Sequence, residues 1–135
     1  MSSENLHAPR ERLSKKTLTL HHAVVSLMEE LDAIDWYRQR ADDTEDETLK
    51  GLLLHNMREE MEHASMLLEY IRRSDGDFER YLKTYLFTKA PILEVEDLAT
   101  EQEVESERGN DAGRATERAN GGGERGFTIG PLKGN

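Results

Sequence analysis

The chain contains no cysteine. Disulfides, zinc–thiolate sites, iron–sulfur clusters and thiol nucleophiles are therefore excluded. Long apolar runs are missing too, and none approaches the ~20 residues of a membrane span. The first residues, Met1-Ser2-Ser3-Glu4, offer neither a basic stretch nor an apolar one, so a secretory signal is not expected there. Positive charge is scarce. In 135 residues, 28 acids against 18 bases give a formal net charge of −10. That argues against nucleic acid or an anionic membrane as partner, since both attract basic patches. The balance is compatible with attracting cations, although charge alone favours ordinary solvation. There is no phosphate-binding loop, no Ser–His–Asp arrangement, no dinucleotide fingerprint and no clear internal repeat.

What is present suits one helical domain with a tail. Charged residues make up 34% and hydrophobic residues 36%, which is polar for a compact monomer. Small helical proteins with broad apolar faces often finish their core by oligomerising. Residues 1–13 read as a flexible arm. Ser14 is placed to cap a first helix running to about Ala41. Along it Leu20, Val24, Leu27, Leu31 and Ile34 form an amphipathic stripe. Asp42 to Asp46 read as a turn, and Thr44 with Glu47 has capping-box spacing. A second helix is expected from about Glu45 to Arg73, stopped by Ser74-Asp75-Gly76. A short third helix should cover Asp77 to Leu86. Pro91 interrupts, and a weak helical segment follows from Ile92 to about Glu103. The helical domain is thus expected over residues 14–103. Residues 104–126 have few apolar side chains and include Gly121-Gly122-Gly123, so they read as a disordered linker. Apolar character returns at 127–135 with Phe127, Ile129 and Leu132.

Chemistry concentrates at Glu60-Met61-Glu62-His63. Positions three apart on a helix share a face, and Glu-x-x-His is the ligand pair of di-iron carboxylate bundles. Leu53, Asn56, Glu60, His63, Leu67 and Tyr70 step by 3, 4, 3, 4 and 3. Glu60 therefore turns inward where the pattern wants hydrophobes, whereas Glu59 and Glu62 point away. A buried carboxylate is costly unless paired or bound to metal. On the first helix, Glu30 lies in the row Ala23, Leu27, Glu30, Ile34 and Tyr37. One chain thus offers Glu30, Glu60 and His63, too few for two ions. A second copy across a two-fold axis would supply four carboxylates and two imidazoles, the inventory of a di-iron centre on a four-helix frame. Such ligands suit iron or manganese. Tyr37, one heptad from Glu30, is placed to hydrogen-bond a ligand carboxylate. His21 and His22 are adjacent and cannot chelate together. The blander alternatives are a buried polar pair that fixes the register of a helical scaffold, or a protein that holds metal without turnover.

Residues Met28 to Tyr37, His55-Asn56, Glu59 to Ala64 and Thr84 to Thr88 closely resemble the encapsulated ferritins. The resemblance covers about residues 14–95 and the terminal peptide. It implies an all-α protomer of two antiparallel helices plus a short C-terminal helix. Two protomers would form the ferroxidase centre between them, and five pairs an open ring, a homodecamer. The implied ligands are Glu30, Glu60 and His63 of both chains. Tyr37 and Trp36 match residues beside the centre, Glu29 and Asp32 the entry-site acids, and His55 a histidine on the iron path. Asp32 departs from the usual Glu. The resemblance also implies that 127–135 is a targeting peptide for an encapsulin shell, with Ile129 and Leu132 as anchors. Thr128 and Pro131 depart from the usual Gly and Ser. The implied activity is oxidation of Fe²⁺ by O₂ in the lumen of a cytoplasmic nanocompartment.

Overall fold

The computed structural model describes residues 6–120, and these are helical apart from short connections. A 3-10 turn at Arg10–Arg12 precedes helix α1, Lys15–Asp43. Ser14 caps α1, its hydroxyl accepting the Thr17 N–H at 3.1 Å. Helix α2 covers Glu47–Ser74. Its cap is Asp46, whose carboxylate accepts the Leu49 N–H at 2.9 Å. The expected Thr44–Glu47 capping box does not form. Thr44 instead closes α1, and its hydroxyl accepts the Asp46 N–H at 3.2 Å. The carboxylate of Asp46 is the stronger acceptor for an orphan N–H, because a charged acceptor makes the stronger hydrogen bond.

Asp75 is the whole connection between α2 and α3, Gly76–Tyr85. Its N–H donates to the Ile71 carbonyl at 3.0 Å, and its carboxylate accepts the Phe78 N–H at 2.9 Å. One residue thus satisfies the end of one helix and the start of the next. An ion network adds to the joint. Arg72 grips Glu69 with two N–H donors at 2.6 Å each and reaches Glu79 on α3 at 3.0 Å. Lys83 holds the same Glu79 at 2.7 Å.

The chain divides into two compact units, one ending at Leu86 and the other starting at Phe87. Phe87 sits in the left-handed region with φ 61°. The second unit contains α4, Ile92–Asn120. This differs from the expectation of a linker from residue 104, since 104–120 continue as helix. Sparse apolar side chains argue against packing, not against helix formation. The stretch between Pro91 and Pro131 has no proline, and Glu105/Arg108 and Asp111/Arg114 put opposite charges three residues apart. Residues 121–135, including Ile129 and Leu132, lie outside the described residues. No helix among the described residues is long and apolar enough to cross a membrane.

In the first unit α1 packs on α2, and α2 on α3. The buried hydrophobic residues are Ala23, Ala41, Met57, Ala64 and Ile71. Alanines on the α1 side let the two backbones approach closely. The seam of α1 follows Ala23, Leu27, Glu30, Ile34, Tyr37 and Ala41. Val24 and Leu31, from the stripe expected to face inward, are largely exposed. On α2, rows of residues seven apart grade outward from α1. Met57, Ala64 and Ile71 are buried; Leu53, Glu60 and Leu67 are half-buried. Beyond them runs Leu49, Asn56, His63 and Tyr70, of which Leu49 is 44% and Tyr70 47% exposed. A hairpin with five small or medium core residues and an uncovered apolar row has not finished burying its hydrophobic surface.

Candidate metal centre

Antiparallel pairing of α1 and α2 brings Glu30 level with Glu60 and His63. One ligand atom from each of the three lies within 4.8 Å of the other two. This is the cluster that helical phase predicts. His63 Nδ1 is 3.0 Å from Glu60 Oε2 and 3.9 Å from Glu30 Oε2. The side chains are partly open, Glu30 at 26%, Glu60 at 22% and His63 at 46% exposure. His63, the most open of the three, lies on the outer row of α2, with Asn56 and Tyr70 one heptad to either side.

The donor set fits a divalent first-row ion. Carboxylate oxygen and imidazole nitrogen bind such ions at about 2.0–2.2 Å, so ligands on opposite sides stand ~4 Å apart. The spacing in the cluster is close to that range. The electrostatics agree. The neighbouring Glu60 carboxylate, then burial, push the Glu30 carboxyl above its ordinary value. Hydrogen bonds from Glu30 and His63 hold the Glu60 carboxyl below its own. Its hydrogen bond to Glu60 raises the His63 imidazole. Two carboxyls and an imidazole thus crowd within hydrogen-bonding reach and shift one another, an arrangement that a cation would relieve.

Other candidates stand apart from the cluster. Tyr37 is half-buried, with the Arg40 guanidinium 5.8 Å from its ring centroid. Within one chain no hydrogen bond joins Tyr37 to a ligand among the described residues. Arg40 went unnoticed in sequence, although its i,i+3 spacing from Tyr37 is the available signal. Glu29 and Asp32 are exposed on α1, as is Trp36. His55 faces solvent with Glu59, its Nε2 3.8 Å from Glu59 Oε1.

An all-helical hairpin whose two long helices each bring a carboxylate to one shared cluster is ferritin-like in class. Residues 5–89 match the EncFtn-like family, and the chain belongs to it. It is 47% identical over 133 residues to an encapsulated ferritin-like protein of Rhodospirillum rubrum, covering 98% of this chain and 91% of that one. It is 46% identical over 48 residues to an encapsulin nanocompartment cargo protein of Myxococcus xanthus, covering 36% of this chain and 37% of that protein. Among solved structures, a protein of Nitrosomonas europaea superposes with a TM-score of 0.64 at 49% identity, over 66% of this chain and 98% of that one.

Proposed function

We propose that the chain is a ferroxidase subunit that oxidises Fe²⁺ with O₂ at a di-iron centre shared between two copies. The observation that carries this reading is the Glu30, Glu60 and His63 cluster at the open edge of the hairpin. Three ligands are few for one ion and insufficient for two. Two copies meeting along the outer row of α2 double the set. Four carboxylates then balance the four charges of two Fe²⁺. The two Fe²⁺ give one electron each to O₂, which takes up two protons from solvent and leaves as hydrogen peroxide. Oxidation adds two positive charges that the fixed ligands do not balance, so the ferric product takes up oxide or hydroxide and moves on.

Within this reading Tyr37 hydrogen-bonds a ligand carboxylate of the paired copy, and Trp36 lies beside the centre. Glu29 and Asp32 collect Fe²⁺ at the entry, and His55 lines its path. Pairs assemble into a ring, most simply of five. The names of the Rhodospirillum and Myxococcus relatives support a place inside an encapsulin shell. Residues 127–135 would dock there through Ile129 and Leu132, and the shell would store the product.

Anaerobic Fe²⁺ titration followed by stopped-flow oxidation in air tests the centre. The reading expects about one iron per chain and rapid oxidation that Glu60→Ala or His63→Ala abolishes. Full activity in either variant refutes the site assignment. A non-catalytic metal-binding or scaffold cargo protein would bind metal without turnover, or would not bind it at all.

A further inference from the structure

Asp75-Gly76 is the only Asp-Gly pair in the chain. Aspartate before glycine is the aspartyl pair most open to main-chain rearrangement, because no side chain shields the glycine nitrogen. Nothing local asks for glycine at this position. Gly76 has no positive φ, and a Cβ added to it would meet nothing within 4 Å. Gly76 is exposed and Asp75 half-buried. As the first residue of α3, Gly76 has no partner for its N–H inside its own helix. Asp75 is the whole link between α2 and α3, and the ends of both helices pivot on it. Its N–H donates to the Ile71 carbonyl and its own carbonyl accepts the Glu79 N–H, both at 3.0 Å, while its carboxylate accepts the Phe78 N–H at 2.9 Å. The Arg72–Glu79 ion pair crosses the same joint at 3.0 Å.

We propose that Asp75 is a site of spontaneous isomerisation to isoaspartate, gated by opening of the α2–α3 joint, and that the product releases α3. In the first step the Gly76 nitrogen bonds to the side-chain carboxyl carbon of Asp75. The nitrogen gives up its proton, the carboxyl loses an oxygen, and one water leaves a cyclic imide behind. Water then adds back at either imide carbonyl. One opening restores aspartate. The other leaves the main chain running through the side-chain carbon, at unchanged mass. No metal, oxidant or second copy is needed. The folded joint resists ring closure. Asp75 holds ψ at 115°, which points Cβ and the Gly76 nitrogen away from each other across the Cα–C bond. Its carboxylate is also engaged by the Phe78 N–H. Closure therefore waits until α3 lifts from α2, and the Arg72–Glu79 pair helps set how often it does. Isoaspartate carries its free carboxylate on Cα, too short a stem to reach the Phe78 N–H, and adds one carbon to a link of a single residue. The cap and the spacing of the joint are lost together. Among the described elements of the first unit α3 packs on α2 alone, so the seam of α1 and α2 is untouched.

The full chain is incubated folded and in denaturant at neutral pH, as wild type, Gly76→Ala and Glu79→Gln. Isoaspartate at position 75 is measured by peptide mapping with electron-transfer fragmentation, which tells it from aspartate of equal mass. Amide exchange follows the helices. Folded wild type should accumulate isoaspartate at least about tenfold more slowly than the denatured chain, because only the opened joint reacts. Glu79→Gln should speed the folded reaction by about two- to fivefold, the effect of losing one partly exposed ion pair, and leave the denatured rate unchanged. Gly76→Ala should slow the reaction in both states. In modified molecules amide exchange of α3 should rise by about fivefold or more, while that of α1 stays as before. No isoaspartate at position 75 in folded wild type overturns the proposal. Equal rates in folded and denatured wild type, or in folded wild type and Glu79→Gln, overturn the gating by the joint. Unchanged α3 exchange in the modified chain overturns the release of α3.

Discussion

At the residue scale, the proposed function rests on two carboxyls and an imidazole that shift one another's proton affinity. Glu30 keeps its proton longer than an ordinary carboxyl because Glu60 faces it. A raised carboxyl pKa means the charged form is disfavoured in the fold, so ionising Glu30 destabilises the metal-free protein as pH rises above the ordinary carboxyl range. Glu30→Gln should therefore raise the metal-free melting temperature at pH 7. The gain should vanish near pH 4, where wild type is protonated too. The same substitution should weaken Fe²⁺ binding, so stability and affinity move in opposite directions. Equal melting temperatures at pH 7 would show that the carboxyls do not strain each other. Much of this was legible in the sequence, because helical phase alone separates inward Glu30 and Glu60 from outward Glu29, Glu59 and Glu62. The side-chain rotations that bring His63 Nδ1 between two carboxylates are not set by phase, and neither is the stacking of Arg40 on Tyr37.

At the scale of elements, the helices follow from capping and periodicity, and the departures have local causes. Asp46 displaced Thr44 as cap because two acceptors compete for one helix start and the charged one holds it. The extent of α4 was not legible because composition reports whether a segment can be buried, and residues 104–115 are helical while exposed. The seam of α1 was ambiguous because Leu27 and Ile34 belong to two stripes, and small Ala23 and Ala41 decided which one packs. Two predictions belong here. Gly51 lies inside α2 with open space around the position of an added Cβ. Gly51→Ala should stabilise the chain by about 0.5–1 kcal/mol in denaturant titration, since Gly weakens a helix interior by that amount. The second concerns the α2–α3 joint. Hydrogen bonds from Arg72 and Arg73 depress Glu69 to about 2. A depressed carboxyl stabilises the fold above its unfolded value near 4.5 and loses that effect as pH falls toward 2. Amide exchange in α3 should therefore accelerate across that window before α2 opens. Glu79→Gln should bring the acceleration to higher pH, and simultaneous opening of both helices would argue against the network as the joint.

At the scale of the whole molecule, one hairpin leaves both tasks half done. Its buried core among the described residues is five side chains, its outer row is open, and on the proposed reading its Glu30, Glu60 and His63 cluster is one half of a binuclear centre. On that reading a single operation, pairing with a second copy, would complete both. Assembly should accordingly depend on metal, and chelation should shift the protein toward smaller species in sedimentation. For the tail, deletion of residues 127–135 should leave iron oxidation intact while abolishing capture by a co-expressed encapsulin shell. Equal capture with and without the tail would remove its targeting role. The most direct test of the shared centre is the initial rate of Fe²⁺ oxidation per chain as the protein is diluted through its association range. The shared centre predicts a rate per chain that falls in proportion to the fraction paired. A rate per chain that stays constant down to the monomer would contradict it.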